Sequence, residues 1–126
     1  MRQCESPQHL TNPTALVVGG GSIAIQHVRA IESLIPNVNI LQVSRSLAEH
    51  SYGQSSNIRI LRELPKSEIT NLSFAIIATP ASHRLESIEY CASVGCSVLI
   101  EKPIAATLKD AQALRGLINS SRIHAR

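Results

Sequence analysis

Residues 15–24 read Ala-Leu-Val-Val-Gly-Gly-Gly-Ser-Ile-Ala, and this stretch decides the fold class of the chain. Four consecutive apolar residues are typical of a parallel strand that is buried on both faces of a sheet. The three glycines that follow predict a tight turn. After the turn, residues at helical spacing form one face of a predicted helix that ends near Pro36. This face consists of Ile23, His27, Ala30, Ile31 and Leu34. The stretch therefore predicts a strand–turn–helix unit.

The rest of the chain alternates in the same way. Apolar runs predict further strands at 38–43, 58–61, 74–78 and 97–100. One helix is expected to begin at Thr79-Pro80, with Thr79 as its N-cap, and to end at Gly95; another follows Thr107, with Leu108 on its buried face. The alternation predicts an α/β fold, a doubly wound and mostly parallel Rossmann sheet of order 3-2-1-4-5, with helices on both faces.

Length and composition limit the organisation and the partners of the chain. Its 126 residues suit one domain, which we place at 14–126 after a polar leader at 1–13. Tyrosine and phenylalanine together number three residues, so the core is expected to be aliphatic. The net charge of +3 comes from scattered residues, which argues against a nucleic-acid partner.

Cysteine content and hydropathy indicate the compartment. The three cysteines, Cys4, Cys91 and Cys96, lack the paired spacing of a disulfide framework or a metal site, and the last two are expected in the core. The chain has neither an apolar stretch of the roughly 18 residues that span a membrane nor an apolar signal segment. These features predict a soluble, cytoplasmic protein without a metal or a membrane partner.

The glycine turn carries a G-x-G-x-x-A fingerprint that is typical of dinucleotide-binding proteins. Gly19 would make the turn, Gly21 would let the backbone approach a pyrophosphate, and Ala24 would let the helix pack closely on the strand. Ser22 and Ile23 open a helix whose free N–H groups favour an anion. A merely flexible turn is the alternative, but the position between a strand and an amphipathic helix favours binding.

The end of the second strand indicates which dinucleotide is bound. NAD sites usually carry an acid here, which accepts hydrogen bonds from the adenosine ribose, and this chain has Ser44-Arg45-Ser46. The two hydroxyls and the guanidinium suit the extra phosphate of NADP. The segment therefore favours NADP(H) over NAD(H), with a solvated surface arginine as the alternative.

Two further segments follow predicted strands at the same edge of the sheet. Ala78-Thr79-Pro80 lies across the switch point from the glycines, and His83 follows within reach of a phosphate or a substrate. Glu101-Lys102-Pro103 places opposite charges directly after a buried strand. An exposed histidine and an ordinary charged loop are the alternatives for each segment alone, but together the four strand ends favour a single binding site.

These motifs resemble the N-terminal domain of the Gfo/Idh/MocA family, the glucose–fructose oxidoreductases and inositol dehydrogenases. The resemblance runs from about residue 15 to 118 and is strongest at 95–104, Gly-Cys-Ser-Val-Leu-Ile-Glu-Lys-Pro-Ile. It implies a nicotinamide dinucleotide cofactor and hydride transfer to or from a sugar, a cyclitol or a related alcohol or carbonyl compound. It further implies that Lys102 is catalytic, orienting the substrate oxygen, and that Glu101 lines the nicotinamide end.

The family resemblance also sets expectations for what lies outside this chain. Family members carry a second domain that supplies most substrate contacts and the oligomer interface, and a homo-oligomer is a possible state for this protein. We expect the 126 residues alone to be inactive, either as a piece of a larger enzyme or as a stand-alone nucleotide-binding or sensor module. A methyltransferase that binds S-adenosylmethionine is a more distant alternative, because it has no use for Glu101-Lys102-Pro103.

Overall fold

The computed structural model describes residues 12–53, 57–65, 71–103 and 105–120. The predicted leader lies outside these residues except for its last two positions. The helices and strands, in chain order, are β1 (Thr14–Val18), α1 (Ser22–Leu34), β2 (Asn39–Val43), β3 (Ile58–Leu61), β4 (Phe74–Ile77), α2 (Leu85–Val94), β5 (Ser97–Ile100) and α3 (Leu108–Ser120). A short 3₁₀ helix, Ala81–His83, precedes α2.

The five strands form one parallel sheet in the order β3-β2-β1-β4-β5, which confirms the predicted fold. In register, Val18 of β1 lies beside Val43 of β2 and Ile77 of β4. The chain leaves β1 for a helix on one face of the sheet and leaves β4 for a helix on the other face. The carboxyl ends of β1 and β4 therefore flank the switch point, where ligands of such sheets bind.

Each face of the sheet has its own apolar cluster, because successive side chains of a strand point to opposite faces. The cluster on the α1 face contains Ala15, Val17, Ala24, Val28, Ile31, Val38, Ile40 and Ile76. The cluster on the α2 and α3 face contains Leu16, Val18, Leu41, Val43, Ala75, Ile77, Ile88, Cys91, Cys96, Val98 and Leu114. Both clusters are aliphatic, apart from two cysteines that are free and buried as predicted.

Helix α1 packs with a different stripe from the one predicted. Its buried residues are Ala24, Val28 and Ile31, whereas Ile23 is 46% exposed and Leu34 is 76% exposed. The sequence offers two apolar stripes at helical spacing. The sheet takes the one that begins with Ala24, because the small side chain lets the helix lie close to β1.

The predicted helix ends are partly correct. Gly95 ends α2 in the left-handed region, with φ of 73°, and its N–H donates to Cys91 O at 2.9 Å. Thr107 Oγ1 accepts the Asp110 N–H at 3.0 Å, which confirms the cap of α3. The prediction of Thr79 as an N-cap is wrong, because the 3₁₀ helix delays the start of α2 until Leu85. Leu108, expected on the buried face of α3, is 74% exposed.

Two glycines with open space around them should respond in opposite ways to alanine. Nothing lies within 4 Å of a β-carbon added to Gly95 or Gly116, but Gly95 has positive φ and Gly116 lies inside α3. We expect Gly116→Ala to raise the free energy of unfolding by about 0.5–1 kcal/mol and Gly95→Ala to lower it by about 1–2 kcal/mol. Urea unfolding followed by circular dichroism measures both, and equal effects would contradict the assignment of the Gly95 cap.

Candidate functional site

A cleft of about 860 Å³ opens at the carboxyl edge of the sheet, around the switch point between β1 and β4. It is lined by the turns that follow four of the strands and by the loop after β3. Of the residues that the sequence singled out, all but Ala24 line it: Gly19, Gly21, Ser22, Ile23, Ser44, Arg45, Ser46, Ala78, Thr79, Pro80, His83, Glu101 and Lys102. Ala24 is fully buried beneath the cleft, where α1 packs on the sheet.

The three glycines of the turn are needed for different reasons. Gly19 has φ of 133°, and a β-carbon added there would lie 2.8 Å from Ala78 O. A β-carbon on Gly20 would lie 2.2 Å from Ser44 Oγ, whereas one on Gly21 would meet nothing within 4 Å. The chain itself therefore requires the first two glycines. The space beside Gly21 belongs to the cleft, as expected where a ligand approaches the backbone.

The N-terminus of α1 lies at this cleft, and no side chain in the described part of the chain caps its free N–H groups or offsets the positive end of its dipole. Gly21 stands at the N-cap, no side chain caps the helix, and the first turn contains no acidic residue. The first N–H groups of a helix lack partners within the helix and carry the positive end of its dipole. The turn and the helix end together suit a negatively charged ligand.

The turn after β2 is held rigidly and presents a cation. Ser44 is buried, and its Oγ accepts the N–H groups of Ser46 at 3.3 Å and Leu47 at 3.1 Å. Arg62, from the end of β3, donates to the carbonyl oxygens of Ser44 at 3.0 Å and Leu47 at 2.6 Å. Arg45 projects from this turn as an exposed guanidinium that lines the cleft.

An arginine that the sequence did not single out joins the two turns on the other side of the cleft. Arg84 is 4% exposed, its Nε donates to Thr79 O at 2.9 Å, and its NH1 group donates to the carbonyl oxygens of Glu101 and Pro103. Burial lowers the pKa of Arg84, and the nearby Glu101 carboxylate opposes this shift. The guanidinium nevertheless stays charged, as arginine does in proteins. Arg84 thus fixes the backbone on both sides of Lys102.

The segment Glu101–Pro103 is also tied to α1. His27 Nε2 lies 2.6 Å from Glu101 Oε2, so a side chain on the glycine-turn helix reaches the end of β5. Between these anchored neighbours, Lys102 is exposed and lines the cleft, and the Lys102–Pro103 peptide bond is cis. The amine of Lys102 is therefore available to a ligand, while its backbone is held.

Thr79 and His83, which follow β4, are also among the residues that line the cleft. Thr79 Oγ1 is buried and has no hydrogen-bond partner in the described part of the chain, which is uncommon for a buried hydroxyl. His83 is exposed, and its Nδ1 lies 2.9 Å from Ser82 Oγ. The Thr79 hydroxyl is thus enclosed by the protein, and His83 is the exposed polar side chain of this segment at the cleft.

Two features, a metal-binding group and a membrane-crossing helix, are not found in the residues that the structure describes. Across 12–53, 57–65, 71–103 and 105–120, no three His, Cys, Asp or Glu side chains are grouped so that they could hold a metal ion. None of the helices in these ranges combines the length and the hydropathy of a membrane-crossing segment.

A protein-family comparison agrees with the geometry of the cleft. A family model, described as an oxidoreductase family with an NAD-binding Rossmann fold, matches residues 14–122. No curated protein matches the chain.

Solved structures with the same fold come from longer chains that are described as dehydrogenases or oxidoreductases. The WlbA dehydrogenase of Chromobacterium violaceum, in complex with NADH and UDP-GlcNAcA, has a TM-score of 0.75 and 20% identity, over 90% of this chain and 34% of that one. Myo-inositol 2-dehydrogenase from Lactobacillus plantarum gives 0.73 and 16%, over 92% and 36%. A Desulfitobacterium hafniense protein whose name gives NADPH dependence reaches 0.72 and 22%, over 91% and 34%. This chain thus spans about a third of their length.

Removal of the Arg84 guanidinium should destabilise the whole domain. Arg84→Met leaves three carbonyl groups without their donor, and we expect the free energy of unfolding to fall by roughly 1.5–3 kcal/mol, the range for hydrogen bonds from a charged group. Urea unfolding followed by circular dichroism measures this change. The matched control Arg115→Met, on exposed α3 surface, should stay within about 0.5 kcal/mol of wild type. Equal stability of the two variants would show that Arg84 does not join the turns.

Proposed function

Because the chain belongs to the Gfo/Idh/MocA family of oxidoreductases and contains its NAD-binding Rossmann domain, we propose that the cleft binds a nicotinamide dinucleotide for hydride transfer. The transfer is to or from a carbon that bears oxygen. The observation that carries this proposal is the glycine turn, where Gly19 and Gly20 are required by the fold and Gly21 leaves open space against an uncapped helix N-terminus.

The residues present fit such a cofactor. The N–H groups at Gly20–Ile23 suit the pyrophosphate, and the turn Ala78-Thr79-Pro80 lines the cleft at the other side of the switch point, where the nicotinamide ribose would lie. Arg45 lies at the far end of the cleft, where β2 ends. This distribution of donors follows the order adenosine, diphosphate and nicotinamide across a Rossmann sheet.

The chain's own residues orient the reacting groups in this proposal. A bound nicotinamide supplies or accepts the hydride. Lys102 Nζ donates a hydrogen bond to the substrate oxygen, holding it and polarising its bond to carbon. Glu101 lines the same end of the cleft, and Arg84 and His27 keep the segment around Lys102 in place. Lys102 is the catalytic residue, and Glu101 and His83 are residues of the binding site.

We propose a sugar, a cyclitol or a similar hydroxyl or carbonyl compound as the substrate. The resemblance noted from the sequence supports this class, as do the names of solved structures with the same fold, which include an inositol dehydrogenase and a complex with UDP-GlcNAcA. Because the chain spans about a third of those structures, we propose that most substrate contacts come from a second domain and that these 126 residues alone do not turn over substrate.

We further propose that the site prefers NADP(H). Arg45 and Ser46 lie on a turn that Ser44 and Arg62 hold in shape, and both line the cleft where the adenosine 2′-phosphate would lie. Glu63 also lines the cleft at this end and is the group that would favour NAD(H). The guanidiniums of Arg45 and Arg62 outnumber this carboxylate, so the net positive charge at this end of the cleft favours binding of the 2′-phosphate.

A paired titration with NADPH and NADH tests the cofactor preference. The fluorescence of the dinucleotide is the readout, since the chain has no tryptophan. We expect NADPH to bind more tightly, and Arg45→Asp to weaken NADPH binding by roughly 10- to 100-fold with a small effect on NADH. Arg115→Asp, with the same charge change on α3, is the control and should bind as wild type does.

The variant Glu63→Gln tests whether the adenosine end of the cleft is suited to the 2′-phosphate of NADP(H) or to the ribose hydroxyls of NAD(H). If the site is built for a phosphate, removal of the carboxylate should leave NADPH binding equal or stronger. Loss of NADH binding in this variant, with equal binding of both dinucleotides by wild type, would overturn the NADP preference and leave the oxidoreductase assignment standing.

Alanine at two glycines of the turn separates folding from binding. Gly21→Ala should keep the stability of wild type, because nothing in the chain meets the added carbon, and should raise the Kd for NADPH by at least about 10-fold. Gly19→Ala should instead lower the free energy of unfolding by about 1–3 kcal/mol, because it combines positive φ with a 2.8 Å contact. Circular dichroism and the fluorescence titration measure these effects. Unchanged NADPH binding by Gly21→Ala would place the diphosphate elsewhere.

A further inference from the structure

A buried glutamine holds the first carbonyl group of the glycine turn. Gln42, in β2, has no exposed surface, and its Nε2 donates to Gly19 O at 2.8 Å. Its Oε1 accepts a hydrogen bond from the hydroxyl of Tyr52, in the loop after β2. A buried amide is costly unless both ends are paired, and here both are.

The chemistry of the two partners fixes which way the amide points. Gly19 O can only accept, so the nitrogen end of the amide must face it. The oxygen end then faces Tyr52, which must donate. Burial raises the pKa of Tyr52, against the opposing effects of the Gln42 hydrogen bond and of Arg29, whose guanidinium carbon lies 5.7 Å from the ring centre. Tyr52 therefore keeps its proton at neutral pH and remains a donor.

The direction of the Gly19 carbonyl determines the direction of the next N–H group. A trans peptide is planar, and its C=O and N–H bonds point in opposite directions. Because Gln42 draws Gly19 O toward the interior, the N–H of Gly20 points away from the interior, toward the cleft that Gly20 lines. Within the described part of the chain, this N–H has no partner.

We propose that Gln42 is a positioning residue for the dinucleotide site: it orients the Gly19–Gly20 peptide so that the Gly20 N–H donates to the bound diphosphate. Tyr52 acts through Gln42, by holding its amide in the required orientation. This inference rests on the proposed binding of a dinucleotide in the cleft, and it makes Tyr52 a residue that supports the diphosphate site without contacting the ligand.

The test compares wild type with Gln42→Met, Tyr52→Phe and the double variant, by NADPH titration and by hydrogen exchange of the Gly19 amide. This amide donates to Val43 O at 2.9 Å, so its exchange reports how firmly the turn is held without any ligand. Gln42→Met removes both hydrogen bonds at similar volume. We expect it to raise the Kd for NADPH by about 10-fold and to speed exchange of the Gly19 amide by a similar factor.

The double variant distinguishes positioning from a general loss of packing. If Tyr52 acts through Gln42, Tyr52→Phe alone should raise the Kd by a smaller factor, and the double variant should have the Kd of Gln42→Met. Factors that multiply in the double variant would overturn the coupling, and a wild-type Kd in Gln42→Met would overturn the proposal. Gln112→Met, with the same change on exposed α3 surface, is the control and should match wild type.

The two readouts keep the outcomes separate. If Gln42→Met did not fold, Tyr52→Phe would decide: the proposal requires faster Gly19 exchange and a higher Kd in this variant. If wild type bound no dinucleotide, the proposed function would fail, and Gly19 exchange alone would decide whether Gln42 holds the turn.

Discussion

The close approach of two backbone segments at the switch point is the constraint on which the rest of the structure depends. Gly19 directly follows β1, and its N–H donates a hydrogen bond to Val43 O of β2. On the other side of β1, the Ala78 N–H, in the turn after β4, donates to Val18 O at 2.8 Å. No side chain fits between Gly19 and Ala78. This contact brings the ends of three strands to one point, and the cleft is the space that their diverging connections leave above it.

The groups around this point divide into those that hold backbone and those that face the cleft. Gln42, Arg62 and Arg84 are each anchored on carbonyl oxygens of turns. Arg45 and Lys102 are exposed, and each is the middle residue of a turn whose neighbours are anchored. A site with this division can keep flexible, charged side chains for the ligand while the backbone beneath them stays fixed.

The sequence predicted the fold, and it predicted most of the residues that line the candidate cleft, because the relevant signals are local. Continuous apolar runs identified the strands, and parallel order placed their ends at one edge, so residues as distant as Gly19 and Lys102 could be assigned to one cleft. The prediction of the buried face of α1 was wrong because the helix has two apolar stripes, and only packing against the sheet determines which of them is buried. Thr79 failed as a cap for a related reason: whether a threonine caps a helix depends on where the first turn forms.

The anchoring residues were missed because their roles arise from contacts between distant segments. Arg84 looks like any surface arginine near a helix start, and two of its three carbonyl partners, Glu101 and Pro103, lie in the turn after β5. Arg62 and Glu63 reach the cleft from the loop after β3, and no sequence motif marks this loop. Gln42 did leave a signal, since a glutamine inside the apolar run 38–43 requires buried partners, but the sequence does not show which groups they are.

The burial of Arg84 has a consequence for how the domain responds to its ionic surroundings. Attraction between exposed charges is screened over about 8–10 Å at physiological ionic strength, whereas contacts of a buried guanidinium at hydrogen-bond distance are screened much less. In the proposed function, attraction of an anionic dinucleotide to Arg45 and Lys102 weakens as salt rises, while the turns that Arg84 joins keep their shape. Rising salt is thus expected to lower the rate at which the proposed dinucleotide enters the cleft, without altering the shape of the cleft.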